Sequence, residues 1–313
     1  MIEEANSDET TTSADDTTTS ELEVEAEEPD VIWSIGIYSG ATLLDLEPDP
    51  KTGNPVISAE DITDVRAKFV ADPFMIRAGG TWHMFFEVMN TETLKGEIGL
   101  AASPDGRDWK YRRSVLREPF HLSYPYVFYL DGEYYMIPET FEAKSIRLYR
   151  ADPFPDKWVL VESILEGAFV DSSFVFHGGR WWMFTCPYNS DDDVLELFHA
   201  RTIHGPWHRH PASPIVKGDN QIARPGGRVI MNDGKPIRFT QACYPDYGMW
   251  VRAFETEPTT SSYSERELDR SPILTKGEQS WNRSGMHHID PHLVDGRWLA
   301  CVDGWRTEPP NSH

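Results

Sequence analysis

Residues 71–87 read ADPFMIRAGGTWHMFFE, and this stretch decides the fold. Apolar Phe74, Met75 and Ile76 lead into the Gly79-Gly80 pair, and Trp82 to Phe86 follow it: a strand, a tight turn and a second strand. Asp72 opens the first strand and Glu87 closes the second. A hairpin therefore returns both carboxylates to the same edge of the sheet.

The pattern recurs along the chain. Residues 123–140, SYPYVFYLDGEYYMIPET, repeat it with the Asp131-Gly132 turn and terminal Glu139, and residues 170–186, VDSSFVFHGGRWWMFTC, repeat it with Asp171 at the Asp72 position. A weaker copy, ARPGGRVIMNDGKPIRFTQ, spans 223–241 and ends on Gln241; a fifth, IDPHLVDGRWLACVDG, spans 289–304. With Asp72, Tyr124, Asp171, Arg224 and Asp290 taken as equivalent, the intervals are 52, 47, 53 and 66 residues. One small sheet per repeat fits that spacing, and five copies close radially, so the chain is expected to be all-β, a five-bladed β-propeller. In such a ring the first strand of each blade lines the central channel, and residues at its start converge on one pocket. The Asp-Gly pairs mark hairpin turns. Asp72 and Asp171, which precede their strands, are candidates for chemistry.

Composition narrows the function. The first 30 residues hold twelve Asp and Glu and no Lys or Arg. Such a segment buries too little apolar area to offset its ordering entropy, so residues 1–30 are expected to be a disordered acidic tail and 31–313 the propeller domain. Without those acids the formal charge of −22 falls to −10, which still disfavours nucleic acid as a partner. No apolar run approaches the roughly 18 residues of a membrane helix, and the N-terminus lacks the regions of a secretory signal. A cytoplasmic protein without a membrane span is expected, and the 20 Arg against 9 Lys would suit a high-salt cytoplasm. Cys186, Cys243 and Cys301 are scattered and form no C-x-x-C, so neither a disulfide framework nor a metal site of that type is expected. Nucleotide-binding, zincin and serine-hydrolase motifs are absent, and no cofactor is expected.

Residues 31–39, VIWSIGIYS, look like a strand without a hairpin partner, while the fifth copy runs out of chain before its outer strands. Pairing the two would close the ring and remove its exposed edges. The long interval before Asp290 carries a polar insertion, roughly 257–285, expected to be a loop at a channel mouth.

Four segments carry a family resemblance: EPFHLSYPYVFYLDGEYYMIPET (118–140), FVDSSFVFHGGRWWMF (169–184), GPWHRHPASPI (205–215) and ARPGGR (223–228). Together they resemble the N-terminal domain of plant glucosamine inositolphosphorylceramide transferases and its bacterial relatives. That domain is similar in turn to the five-bladed propellers of arabinan- and fructan-processing glycosidases. The resemblance implies carbohydrate handling. It does not imply sugar transfer, because a separate C-terminal glycosyltransferase domain performs that in the plant proteins. The glycosidases carry an Asp at the start of blade one, a second at blade three and a Glu acid in blade four. Asp72 and Asp171 match the first two by repeat position, whereas blade four offers Arg224 where the acid would stand.

Paired-carboxylate chemistry needs one carboxyl held ionised and one kept protonated. Asp72, Glu139 and Asp171 are the catalytic candidates, with Glu139 as the acid and Glu87 as its understudy. Arg224 would bind an acidic group or ion-pair with Asp171 or Glu139. Tyr124, Gln241, His288, Asp290 and Glu87 are candidates for binding substrate. His287, His288 and Asp290 crowd together, but adjacent strand residues face opposite ways, so no metal set is expected. Two functions remain open: a glycoside hydrolase, or a glycan-binding propeller that works with a separate glycosyltransferase.

Overall fold

The computed structural model describes residues 29–308. Of the tail expected to be disordered, residues 1–30, residues 1–28 lie outside this range, and Asp30 already opens a strand, paired with Glu308. Among the described residues the fold is all-β, with five antiparallel sheets arranged as the blades of a propeller and only three short 3-10 turns. No helix in this range is long and apolar enough to cross a membrane.

Blade one consists of Ala67–Ala78, Thr81–Asn90, Lys95–Ser103 and Lys110–Leu116, and blade two of Ser123–Leu130, Glu133–Glu139, Ser145–Ala151 and Trp158–Glu166. Blade three has Phe169–His177, Arg180–Pro187 and Val194–Ala200, with an outer strand split into His208–Arg209 and Val216–Lys217. Blade four is built from Ile230–Asn232, Lys235–Gln241 and Trp250–Thr256, again with a split outer strand, Glu265–Glu267 and Leu274–Thr275. Alternation along these strands sends apolar side chains into the spaces between neighbouring blades. Phe74, Tyr126 and Phe174 pack together across blades one to three, and Ile37, Met84 and Leu299 pack between blades five and one.

The fifth blade closes the ring as the unpaired N-terminal strand suggested. Ile289–Val294 and Arg297–Glu308 form its inner hairpin, and Asp30–Gly40 pairs with the latter from Asp30↔Glu308 to Gly40↔Trp298. The first strand thus completes the last blade, which joins the two ends of the described chain.

The insertion before Asp290 is not a loop at a channel mouth. It supplies the split outer strand of blade four and then sends Trp281, 1% exposed, into the seam beside blade five. A Cβ on Gly36 would stand 2.5 Å from the Trp281 ring, so only glycine admits the indole there. A lone tryptophan inside a polar segment was the available signal.

Candidate functional site

The second strands of the five hairpins begin at Thr81, Glu133, Arg180, Lys235 and Arg297. Their seventh residues are Glu87, Glu139, Cys186, Gln241 and Asp303. All five are buried, and they define the carboxylate end of the channel. The opposite end is formed by the hairpin turns.

Three inner strands face this ring with the same local device. Asp72, Tyr124 and Asp171 have φ of 53°, 46° and 49°, and each lies where the pairing register of its hairpin shifts. Each is the extra residue of a β-bulge, which re-aims its side chain and frees its amide from the ladder. Two of those amides reach the preceding blade: Asp72 N–H donates to Asp303 Oδ2 at 2.9 Å, and Asp171 N–H donates to Glu139 Oε2 at 3.1 Å. Glu87 has no such amide contact; His121 Nε2 lies 3.4 Å from it.

Blade four contributes a cation. Arg224 Nε donates to Asp171 Oδ2 at 2.5 Å, its Nη1 meets Asp192 at 3.0 Å, and its Nη2 is 4.0 Å from Glu139. Gln241 Nε2 donates to the same Asp171 oxygen at 2.8 Å. The structural ion pair considered for Arg224 is therefore present, with Asp171 as its main partner. Burial works against the guanidinium charge, but Asp171, Tyr247, Glu139 and Asp192 together hold it well above its ordinary pKa.

Blade five contributes a histidine and an acid. His287 Nδ1 stands 2.7 Å from Asp303 Oδ1, and its Nε2 lies 3.8 Å from Asp72 Oδ1. Burial disfavours the charged imidazole, yet attraction to Asp303 and Asp72 raises its pKa. Burial alone would also raise Asp303; His287, by charge and hydrogen bond, keeps it below the usual carboxylate range. Asp72 is different. Burial pushes it up to about 7, with His287 opposing and Asp171 and Asp303 adding to the rise.

Glu87 and Glu139 are pushed well above the usual range. For Glu87 the causes are burial, then Asp72 and Glu139; for Glu139 they are burial, then Asp171, with Arg224 opposing. Asp72, His287 and Asp303 offer ligand atoms within 4.8 Å of one another, so among the described residues they are the group able to hold a cation. His287 and Asp303 already satisfy each other, and an ion would have to displace that contact.

Six of the nine sequence candidates therefore gather at the carboxylate end: Asp72, Glu87, Glu139, Asp171, Arg224 and Gln241. Three sit deeper in the wall. Asp290 is not the equivalent of Asp72, because blade five lacks the extra residue and Asp290 pairs regularly with Cys301. Its carboxylate is fully buried against Arg228 Nε at 2.5 Å, the Met75 amide at 2.6 Å and His292 at 3.1 Å. Arg228 and His292 outweigh burial and hold it far below the usual range. His288, 0% exposed, has no hydrogen-bond partner on either ring nitrogen and packs edge-on against Phe74 and Tyr124. Burial lowers its pKa to about 4, and a contact with substrate does not fit this placement. Tyr124 is also fully buried, its hydroxyl engaged with Ser173 and Gly227.

Both adjacent histidines nevertheless reach Asp72, since His288 Nδ1 is 3.6 Å from its Oδ1. The opposite-faces argument fails because residues 287 and 288 precede the strand, which starts at Ile289. Asp303 was missed by aligning first strands alone. Alignment of the second strands puts it in register with Glu87 and Glu139.

Solved glycoside-hydrolase propellers superpose on this fold. The catalytic domain of a Coprinopsis cinerea GH62 alpha-L-arabinofuranosidase gives a TM-score of 0.62 at 14% identity, covering 90% of this chain and 92% of that one. An alpha-L-arabinofuranosidase from Podospora anserina gives 0.59 at 12% identity over 82% of this chain and 96% of that one. At such identities the likeness concerns the fold. The family is more specific: the profile described as glucosamine inositolphosphorylceramide transferase 1, N-terminal, matches residues 26–305, and the chain belongs to that family. Glucosamine inositolphosphorylceramide transferase 1 of Oryza sativa subsp. japonica is 34% identical over 307 residues, covering 90% of this chain and 41% of its own length. The Arabidopsis thaliana protein of the same name is 36% identical over 298 residues, with 88% and 39% covered. This chain thus spans about two fifths of the length of these relatives.

Proposed function

We propose that the protein is a carbohydrate-active propeller that hydrolyses a glycosidic bond at the carboxylate end of its channel. The observation that carries this reading is the convergence of buried carboxyls held differently: burial pushes Asp72 up to about 7 against the opposing His287, and raises Glu139 and Glu87 well above their usual range. A pair of carboxyls whose environments separate them is what acid–base cleavage of an acetal requires. Asp72 is the base that activates water and Glu139 the acid that protonates the leaving oxygen, with Glu87 next in line. Asp171, pinned by Arg224 and Gln241, orients the sugar through its remaining oxygen. Phe141 and Tyr188, two residues beyond Glu139 and Cys186, stack at 4.1 Å and 17° to form an aromatic plate beside the opening. Such a plate suits the apolar face of a sugar.

One observation favours a glycan-binding module instead. Arg224, close to where the related glycosidases are expected to carry their acid, ties up Asp171 and approaches Glu139. The two readings part on mutants. For a hydrolase, Asp72→Asn and Glu139→Gln each lower turnover on a released-sugar assay by roughly 10²- to 10⁴-fold while glycan affinity stays close to wild type. Activity should also rise with pH through about 7 as Asp72 ionises. If glycan-array binding falls in step with any activity in both variants, the carboxyls serve recognition and the binding module is correct.

A further inference from the structure

At the turn end of blade three, Arg180, His199, Arg201 and His208 line a cavity of about 470 Å³ with Gly205 and Pro206. Among the described residues neither Arg180 nor Arg201 forms an ion pair, whereas neighbouring Arg209 is committed to Glu196 through two contacts at 2.6 and 2.8 Å. His199 and His208 sit opposite each other on paired strands, their rings 5.9 Å apart. The Nδ1 atom of His199 is shielded from solvent and has no hydrogen-bond partner. His210 nearby is fixed by other contacts, its Nδ1 accepting the Ala212 amide and its Nε2 donating to Thr259 O. Two guanidiniums and two imidazoles thus surround one cavity with no counter-charge, in a chain of net charge −22.

We propose that this cavity binds a phosphate-type oxyanion. Planar guanidiniums present paired donors matched to phosphate oxygens, and the two imidazoles add donors from the strand side. Arg180 and Cys186 lie on one strand six residues apart, a span of about 20 Å, so this anion lies well away from the central carboxyls and constitutes a second site. The inference stands whether or not the channel hydrolyses anything.

Calorimetric titration of the full chain with inorganic phosphate tests it. Wild type is expected to bind saturably, and Arg180→Gln/Arg201→Gln to bind at least roughly tenfold more weakly, since charge-assisted hydrogen bonds from guanidinium to phosphate are the strong ones. An unchanged melting temperature shows that the double variant is folded. Should it fail to fold, His208→Ala, at an exposed position, provides the same test with a severalfold loss. Co-sedimentation with phosphatidylcholine vesicles, with and without phosphatidylinositol, identifies the source. Retention only on phosphatidylinositol vesicles, lost in the variants, assigns the phosphate to a lipid headgroup; phosphate binding without retention assigns it to a soluble phosphorylated ligand. Non-saturable binding to wild type, or equal binding by wild type and variants, overturns the proposal.

Discussion

In blades one to three the inner strand carries one residue more than the strand it pairs with, and Asp72, Tyr124 and Asp171 fill that place at φ of 53°, 46° and 49°. Blade five runs without it, Ile289 and Asp290 pairing in order with Val302 and Cys301, and in blade four the extra residues fall later: Arg224 to Gly226 lie in order against Gln241 to Phe239, and the surplus comes between Gly226 and Ile230. The bulged half brings Asp72, Glu87, Glu139 and Asp171 to the channel. Blades four and five bring Arg224, Arg228, Gln241 and His287, with Asp290 and Asp303 already bound to cationic partners. One half therefore supplies the acids whose pKa values are raised, Asp72, Glu87 and Glu139, and the other supplies charges that hold them.

Removing the central holding charge should have the largest effect. Arg224→Ala leaves Asp171 facing Asp192 and Glu139 without a cation, and breaking a buried pair from one side costs about 3–5 kcal/mol. Urea denaturation should show a loss of that size, part of which Asp171→Asn recovers in the double variant because the orphaned charge is gone. A change within about 0.5 kcal/mol, typical of an indifferent surface position, would mean that the two halves are not coupled through Arg224.

Next comes the titration of the bulged half. Asp72 has a folded pKa of about 7, above its unfolded value. A raised pKa means that the folded state binds the proton more tightly, so the associated stability is complete below the unfolded pKa, about 3.9, and is lost as pH rises through about 7. Wild type should therefore lose stability between roughly pH 4 and 7 relative to Asp72→Asn, by an amount on the order of 4 kcal/mol. The variant should melt higher than wild type at pH 8 and show little difference at pH 4. Parallel melting curves across that range would show that Asp72 is not held in this way.

Much of this division was legible in the sequence because hairpin turns and strand ends are local features. The Gly79-Gly80, Asp131-Gly132 and Gly178-Gly179 pairs fixed the first three copies, and Asp72, Tyr124 and Asp171 were aligned correctly by their distance from those turns. In blade five the same count back from Asp295 arrives at His288, but the Asp290-Pro291 pair, which mimics Asp72-Pro73, pointed the alignment to Asp290 instead. Glu87 and Glu139 were legible as acids closing their second strands, while Asp303 stands in the middle of the long strand Arg297–Glu308, with no strand end to mark it. Trp281, Asp192 and the His287–Asp303 contact depend on which blades touch, and no local pattern records that.

The smallest of these effects is expected at the joint between the halves. Tyr124 belongs to the bulged set, yet its hydroxyl reaches across the channel wall to blade four, accepting the Gly227 amide at 2.6 Å and lying 2.8 Å from Ser173 Oγ. Gly227 adopts φ of 137°, a conformation natural to glycine, and this lets its amide turn inward. Tyr124→Phe keeps the ring against Phe74 and His288 but leaves a buried amide without its acceptor, which costs about 1–3 kcal/mol. Ser173 retains Gly227 O as a partner at 2.8 Å, which keeps the loss toward the lower end. The discriminating result is a drop in urea midpoint of this size with the pH dependence attributed to Asp72 unchanged, because the hydroxyl holds backbone together and takes no part in the carboxyl field. A shift in that pH dependence would place Tyr124 within the acid cluster and erase the distinction between the group that joins the halves and the groups that titrate.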